Sequence, residues 1–319
     1  MPLINHSNIK SGFKPTKRFK SGIRLQRHQS DLNYAHVMSK VLDPDGEYIL
    51  YTRMRLARSI KGFRFAPCMS RKERRHIEKL LKECIMEWNS SSEVSPVDGE
   101  KGFSLGNGRY VSVMEMTNDQ HDDLIQRRVL FPDPDSFALS AGLGRDWPDA
   151  RGLYCDTWKD VPALMIWCNA EDHYHIISTA KGGDVRGVFT KLSNAVRELE
   201  QSLERRGYAF IEDKQLGYLN TSPTNVGTGL RASVYVKLVR LSRHPGFFDL
   251  VRRLRLEARS DYSESDKRFT GIYDIANAES LGKSEAELIN IMIRGVGVLI
   301  EMEKRLEQGK EVDLLSVKV

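Results

Sequence analysis

Four arginines in three separated segments are the side chains here best suited to holding an anion. "YTRMR" sets Arg53 and Arg55 two residues apart, so a strand would point both to one face. Arg231 ends a loop of Pro, Gly and small polar residues, "LNTSPTNVGTGLR", and Arg259 lies within "RLRLEARSDYSE". Planar guanidinium forks gathered on one surface suit a polyphosphate, which accepts them in bidentate pairs. Taken singly, each reads more readily as a solvated surface cation. The bends at Pro223, Gly227 and Gly229 could also turn backbone N–H groups toward the same phosphate or carboxylate.

Carboxylates and a hydroxyl complete the set. "NAEDHYH" places Glu171 and Asp172 just past an apolar run, where a sheet edge could open onto a site, and Glu264 lies in a polar loop. Two glutamates could clamp a cationic guanidinium and orient its nitrogen toward a phosphoryl group. Spacing alone favours ordinary salt bridging. Ser222 stands near the start of the Gly-rich loop. His173, His175 and Cys155 show no recognised ligand spacing, so no metal is assigned.

Strands and helices must position these groups. A turn at Asp43-Pro44-Asp45-Gly46 leads into a strand-like run, Tyr48 to Met54. Ser70 and Glu73 read as a capping box opening a helix whose apolar face is Ile77, Leu80, Leu81, Cys84, Ile85 and Trp88. Strand-like runs follow at 109–116, 163–168 and 174–179, then a second amphipathic helix from Val185 to Leu203. Further strands are expected near 208–211 and 230–239, and helices near 247–256 and 284–307, the last opened by Ser284 and Glu287. No regular βαβ rhythm appears, which predicts an α+β fold with a large, mainly antiparallel sheet flanked by helices.

Composition narrows the class. With 319 residues, 40% of them hydrophobic, the chain can bury a sizeable core. No apolar run approaches the ~20 residues that cross a bilayer, and a cytoplasmic protein is expected. Cys68, Cys84, Cys155 and Cys168 are widely spaced and read as reduced thiols. The net charge of +6 is uneven. Residues 1–30 carry Lys10, Lys14, Lys17, Arg18, Lys20, Arg24 and Arg27 and no acid. Such an arm is either a solvated tail or a docking segment for an acidic polymer or assembly. Its only aromatics are Phe13 and Phe19, which argues against nucleic acid.

Several long motifs together resemble the phosphagen kinases, the ATP:guanidino phosphotransferases, with the creatine kinases most alike. They are "RDWPDARG" (145–152), "WCNAEDHYHIIS" (167–178), "LGYLNTSPTNVGTGLRASV" (216–234) and "GIYDIAN" (271–277). The resemblance runs from about residue 31 to 313. It implies the family's catalytic domain over residues 45–319, behind a segment 1–44 made of the basic arm and a remnant of a smaller helical domain. It implies Mg-ATP or Mg-ADP as cofactor and a guanidino compound as substrate. It assigns Arg53, Arg55, Arg231 and Arg259 to phosphate, with Asp274 in the nucleotide site. Glu171 becomes the guanidino-binding carboxylate and Glu264 the second glutamate.

The same resemblance marks departures. Ser222 stands where the family has a reactive cysteine, so a thiolate charge is replaced by a neutral hydroxyl. His175 and Ser280 replace arginines, Tyr51 a serine, Cys155 and Tyr235 histidines. Residues 31–42 look like the opening of the small domain, joined almost directly to the catalytic domain. These features lead to an expected phosphagen-kinase-like pseudoenzyme, kept as an interaction subunit of a cytoskeletal or axonemal assembly. The alternative is a working ATP:guanidino phosphotransferase.

Overall fold

A computed structural model describes residues 28–90, 108–158, 161–260 and 270–316. The strands there are β1 (Ile49–Arg58), β2 (Arg109–Ser112), β3 (Gly152–Cys155), β4 (Leu164–Cys168), β5 (Tyr174–Lys181), β6 (Glu212–Asp213), β7 (Gly217–Tyr218), β8 (Leu230–Lys237), β9 (Leu256–Ser260) and β10 (Ile272–Asn277). The α-helices are α1 (Arg71–Ser90), α2 (Asn118–Gln126), α3 (Ser136–Ser140), α4 (Val185–Glu204), α5 (Phe247–Arg253) and α6 (Glu285–Glu307). Eight strands make one sheet in the order β2-β3-β4-β5-β1-β8-β10-β9, antiparallel at every pairing. The expected α+β architecture, a large antiparallel sheet flanked by helices, is the one observed.

β1 lies inside the sheet, between β5 and β8. Its sequence alternates with period two: Thr52, Met54 and Leu56 are fully buried on one face, while Tyr51, Arg53 and Arg55 point to the other. The first face carries the main core. It is covered by the apolar stripes of α1, α4 and α6, which bring Ile77, Leu81, Phe189, Leu192, Met292 and Val296 onto Met54, Leu56, Ile176 and Val234. Both expected capping boxes form. Glu73 accepts from the Ser70 N–H at 2.9 Å, and in α6 Ser284 and Glu287 cap each other.

The second face is covered over only half its width. Against Leu153, Cys155, Met165, Trp167 and Ile177 pack Leu124 of α2 and Val129, Leu130 and Phe131 of the chain after it. On the far side of β1 the same face, formed by β8, β10 and β9, has no such apolar layer among the described residues. A bare, polar half-face is left beside a covered one.

Local details differ from the sequence reading. Residues 208–211 do not form a strand; only an isolated bridge pairs Ile60 with Phe210. The run 109–116 stops after Ser112, and Val113–Glu115 is a 3₁₀ turn. The helix expected to reach residue 256 ends at Arg253, because Arg255 takes a left-handed φ of 60° and turns the chain into β9. Residues 28–44 pack on the same core as the rest: Val37 and Leu42 are buried, and Leu42 donates its N–H to the Gly183 carbonyl at 3.2 Å.

Candidate functional site

Where the bare half-face meets the covered one lies a cleft of about 320 Å³, lined by Arg53, Arg55, Arg128, Arg231 and Asp274 on its polar side and by Leu130 and Trp167 on its apolar side. Register explains why these groups meet. Arg55 lies directly across from Arg231, Arg53 from Ser233, and Asp274 from Tyr235. Directly opposed residues of antiparallel strands share a face.

Arg55 forms no hydrogen bond or ion pair with any described side chain, although it is deeply set. Burial, with Arg53 and Arg231 as like-charged neighbours, pushes its guanidinium down to about 10, against the pull of Glu171 and Asp172. Arg53 is likewise lowered by burial; it donates to the Arg128 carbonyl at 2.8 Å and lies over the Trp167 ring at 5.5 Å. Arg231 is tied to Asp274 at 2.9 Å and Glu257 at 3.0 Å. A crowded, desolvated set of cations with one unpaired member fits a multiply charged oxyanion, and the phosphate chain of a nucleotide meets that requirement.

Arg259 is not part of the cleft lining. It sits opposite Asp274 in the β9–β10 pair and is clamped on Glu257 at 2.9 Å, one strand outward. The fourth lining arginine is Arg128, which the sequence reading did not single out. It reaches the site from the chain after α2 with a left-handed φ of 59°, contacting the Tyr51 hydroxyl at 3.3 Å and lying 5.3 Å over the Tyr235 ring. Nothing in "QRRVLFPD" announces this; only the fold over Trp167 delivers it. Glu257 was likewise passed over, although it joins Arg231 to Arg259.

Glu171 lies in the turn between β4 and β5, half-buried, near enough to Arg55 to raise its basicity. Glu171, Asp172 and His175 place ligand atoms within 4.8 Å of one another. Asp172 is already fully committed. Its carboxylate accepts the Thr221 N–H at 2.6 Å, the Ser222 N–H at 3.2 Å, the Asn225 amide at 2.7 Å and His175 Nε2 at 3.1 Å. Those bonds hold the loop carrying Ser222, whose hydroxyl lies 3.0 Å from that of Thr224. Glu264 lies outside the described residues, as do residues 1–27 of the basic arm.

The Gly-rich loop turns the Thr221 and Ser222 N–H groups onto the Asp172 carboxylate, and two of its other N–H groups are spent on backbone carbonyls. The Gly227 N–H donates to the Tyr218 carbonyl and the Thr228 N–H to Ser280. The glycines are needed for close approach: a Cβ at Gly227 would meet the Ser280 carbonyl at 2.2 Å, and one at Gly229 the Ala57 carbonyl at 2.6 Å. Only Arg231 is carried to the cleft.

The five departures other than Ser222 separate by position. Cys155 is fully buried beneath the apolar cover, His175 is locked on Asp172, and the Ser280 hydroxyl donates to the Val226 carbonyl at 2.8 Å. Of the five, Tyr235 is in the cleft lining and Tyr51 is stacked on it, while His175 lies behind the lining, 5.9 Å from the Trp167 ring.

Residues 99–306 match the family model described as ATP:guanido phosphotransferase, C-terminal catalytic domain. Creatine kinase B-type of Gallus gallus is 38% identical over 303 residues, which are 95% of this chain and 72% of the relative. Creatine kinase M-type of Homo sapiens is 36% identical over 313 residues, 98% of this chain and 74% of the relative. Among solved structures, that of a lombricine kinase aligns with a TM-score of 0.78 at 33% identity, covering 92% of this chain and 76% of its own. The duplicated taurocyamine kinase of Schistosoma mansoni, with bound transition-state-analogue components, aligns at 0.76 and 27% identity over 89% of this chain and 37% of that one.

Proposed function

The chain belongs to the ATP:guanido phosphotransferase family, and on that premise we propose that it retains a nucleotide phosphate site while transferring phosphoryl groups weakly or not at all. The observation that carries this reading is the unpaired, half-buried Arg55 beside Arg53 and Arg231. A cluster of like charges is costly to maintain without an anion. Arg53, Arg55 and Arg231 would take the phosphate oxygens of Mg-ADP or Mg-ATP, with the metal ion carried on the phosphates and its waters.

Loss of turnover rests on two features. A neutral Ser222 cannot supply the electrostatic support of a thiolate, and a Tyr51–Tyr235 stack now fills one flank of the cleft. Such a protein is kept for what it holds rather than what it converts. The acid-free sequence of residues 1–30 fits docking on an acidic polymer, of cytoskeletal or axonemal type.

A second reading, a working ATP:guanidino phosphotransferase, is favoured by Glu171 beside the arginine cluster. There it could orient a guanidinium for attack, with Glu264 as its partner. Calorimetric titration with Mg-ADP separates the cases, with Arg231→Ala as control. Saturable binding lost in the variant supports a phosphate site, and no binding sinks it. Phosphoryl transfer to any member of a guanidino panel would replace the first reading with the second. Co-sedimentation of the full chain, but not of one lacking residues 1–27, with polymerised tubulin or actin would support the docking role.

A further inference from the structure

Behind the cleft, at the end of β1, is a buried charge cluster that the phosphate site does not use. Arg58 is fully buried and faces Glu285, also fully buried, at 3.6 Å. The Tyr218 ring lies 3.4 Å from the guanidinium carbon. Arg58 Nη1 donates to the Ala57 and Thr228 carbonyls, both at 2.8 Å. Thr228 lies in the Gly-rich loop three residues before Arg231, and Tyr218 and Gly227 bond each other across the neck of the loop that carries Ser222.

An N-terminal strap closes this cluster from outside. Ser30 Oγ donates to Glu285 at 3.0 Å, and the Asp31 N–H donates to the other carboxylate oxygen at 2.8 Å. The same strap continues through buried Val37 to Leu42. Ser30 itself is exposed, although its hydroxyl is engaged. In the sequence it follows Arg24 and Arg27, a basic approach that complements an acidic substrate groove of a protein kinase.

We propose that Ser30 is a phosphorylation site, and that its modification unlatches the strap from Glu285 and loosens the neck of the Gly-rich loop. In the reaction Ser30 Oγ attacks the γ-phosphorus of a nucleoside triphosphate held by a protein kinase. The new O–P bond forms as the β,γ-bridging bond breaks, the hydroxyl proton passes to the kinase's base, and a nucleoside diphosphate leaves. The donor at Glu285 is thereby replaced by a group carrying about −1.5 to −2 charge. Among the described residues Arg58 is the one cation ion-paired with Glu285, through Nη2 at 3.6 Å, while its Nη1 serves two carbonyls. That single positive charge already faces the Glu285 carboxylate. The added phosphate therefore leaves a net negative excess that drives the two anions apart, and the effect passes through Arg58 and Tyr218 to Thr228.

The test uses the full chain, a protein kinase that prefers basic residues upstream of serine, and Mg-ATP, with phosphate mapped by peptide mass spectrometry. Phosphate is expected on Ser30, absent in Ser30→Ala and reduced in Arg27→Ala. Hydrogen exchange of the phosphorylated protein should quicken about tenfold or more at Asp31, Leu42, Tyr218 and Gly227, with α4 unchanged. Labelling that spares Ser30 overturns the proposal. So does phosphorylated Ser30 with exchange at those amides unchanged or slower. Neither readout depends on nucleotide binding, so the proposal stands or falls apart from the phosphate site.

Discussion

Tyr51 and Tyr235 are direct cross-strand partners of β1 and β8, and their rings stack at 4.1 Å with 18° between planes. Both are positions where the sequence departs from its family resemblance. The two changes are therefore one structural event: each new ring is the packing surface of the other. Burial and the neighbouring Tyr235 hold the Tyr51 hydroxyl protonated far above the ordinary tyrosine range.

Coupling between the two rings should be measurable. A double-mutant cycle of Tyr51→Ser and Tyr235→His is expected to give an interaction of ~1 kcal/mol in chemical denaturation. The double variant should also bind Mg-ADP more tightly than the natural chain. Additive stabilities together with unchanged affinity would mean the stack does not limit the cleft.

Arg55→Met should move stability and binding in opposite directions. Removing an unpaired, desolvated cation from beside two others is expected to stabilise the fold by ~1 kcal/mol. Mg-ADP affinity should fall at least about tenfold, the minimum for one charge-assisted hydrogen bond. Thermal unfolding and calorimetry on the same sample decide it; a less stable variant would show that Arg55 has a structural partner.

Glu171 and Asp172 are adjacent but should behave differently. Asp172→Asn disturbs a carboxylate with four donors and is expected to cost ~2–3 kcal/mol. Glu171→Gln should leave stability within ~0.5 kcal/mol and Mg-ADP affinity unchanged, while lowering any phosphoryl transfer at least ~100-fold. Equal destabilisation by both would remove Glu171 from the candidate site.

His173 should give the chain a specific acid sensitivity. Its Nδ1 accepts the Ile60 N–H at 2.9 Å and its Nε2 donates to the Arg64 carbonyl at 3.1 Å, so the buried ring is held neutral. Burial pushes it down to about 4. In the unfolded chain the ring takes a proton below ~6.5, so its contribution is complete above that pH. It is lost as pH falls from ~6.5 toward 4, by up to ~3 kcal/mol. Denaturation midpoints for the natural chain and His173→Gln should diverge in that window, and parallel curves would refute the assignment.

Much of this was legible in the chain itself. Two-residue spacing put Arg53 and Arg55 on one face of a strand, helical apolar spacing marked α1 and α4, a capping box marked the start of α6, and the long motifs pointed to the family. These signals are local, or are carried by contiguous residues, so they survive without coordinates. What the tertiary structure decided was which half of the sheet face stays open, and which side chains border it. Arg128 arrives from a chain segment with no periodic pattern, Arg259 sits on edge strand β9 paired with Glu257 of the same strand, and Tyr51 meets Tyr235 only through the β1–β8 register. Cys155 and His175, two of the departures, are buried and outside the cleft lining. Each of these outcomes depends on pairings between residues far apart in the chain, and residue type and local spacing do not contain that register.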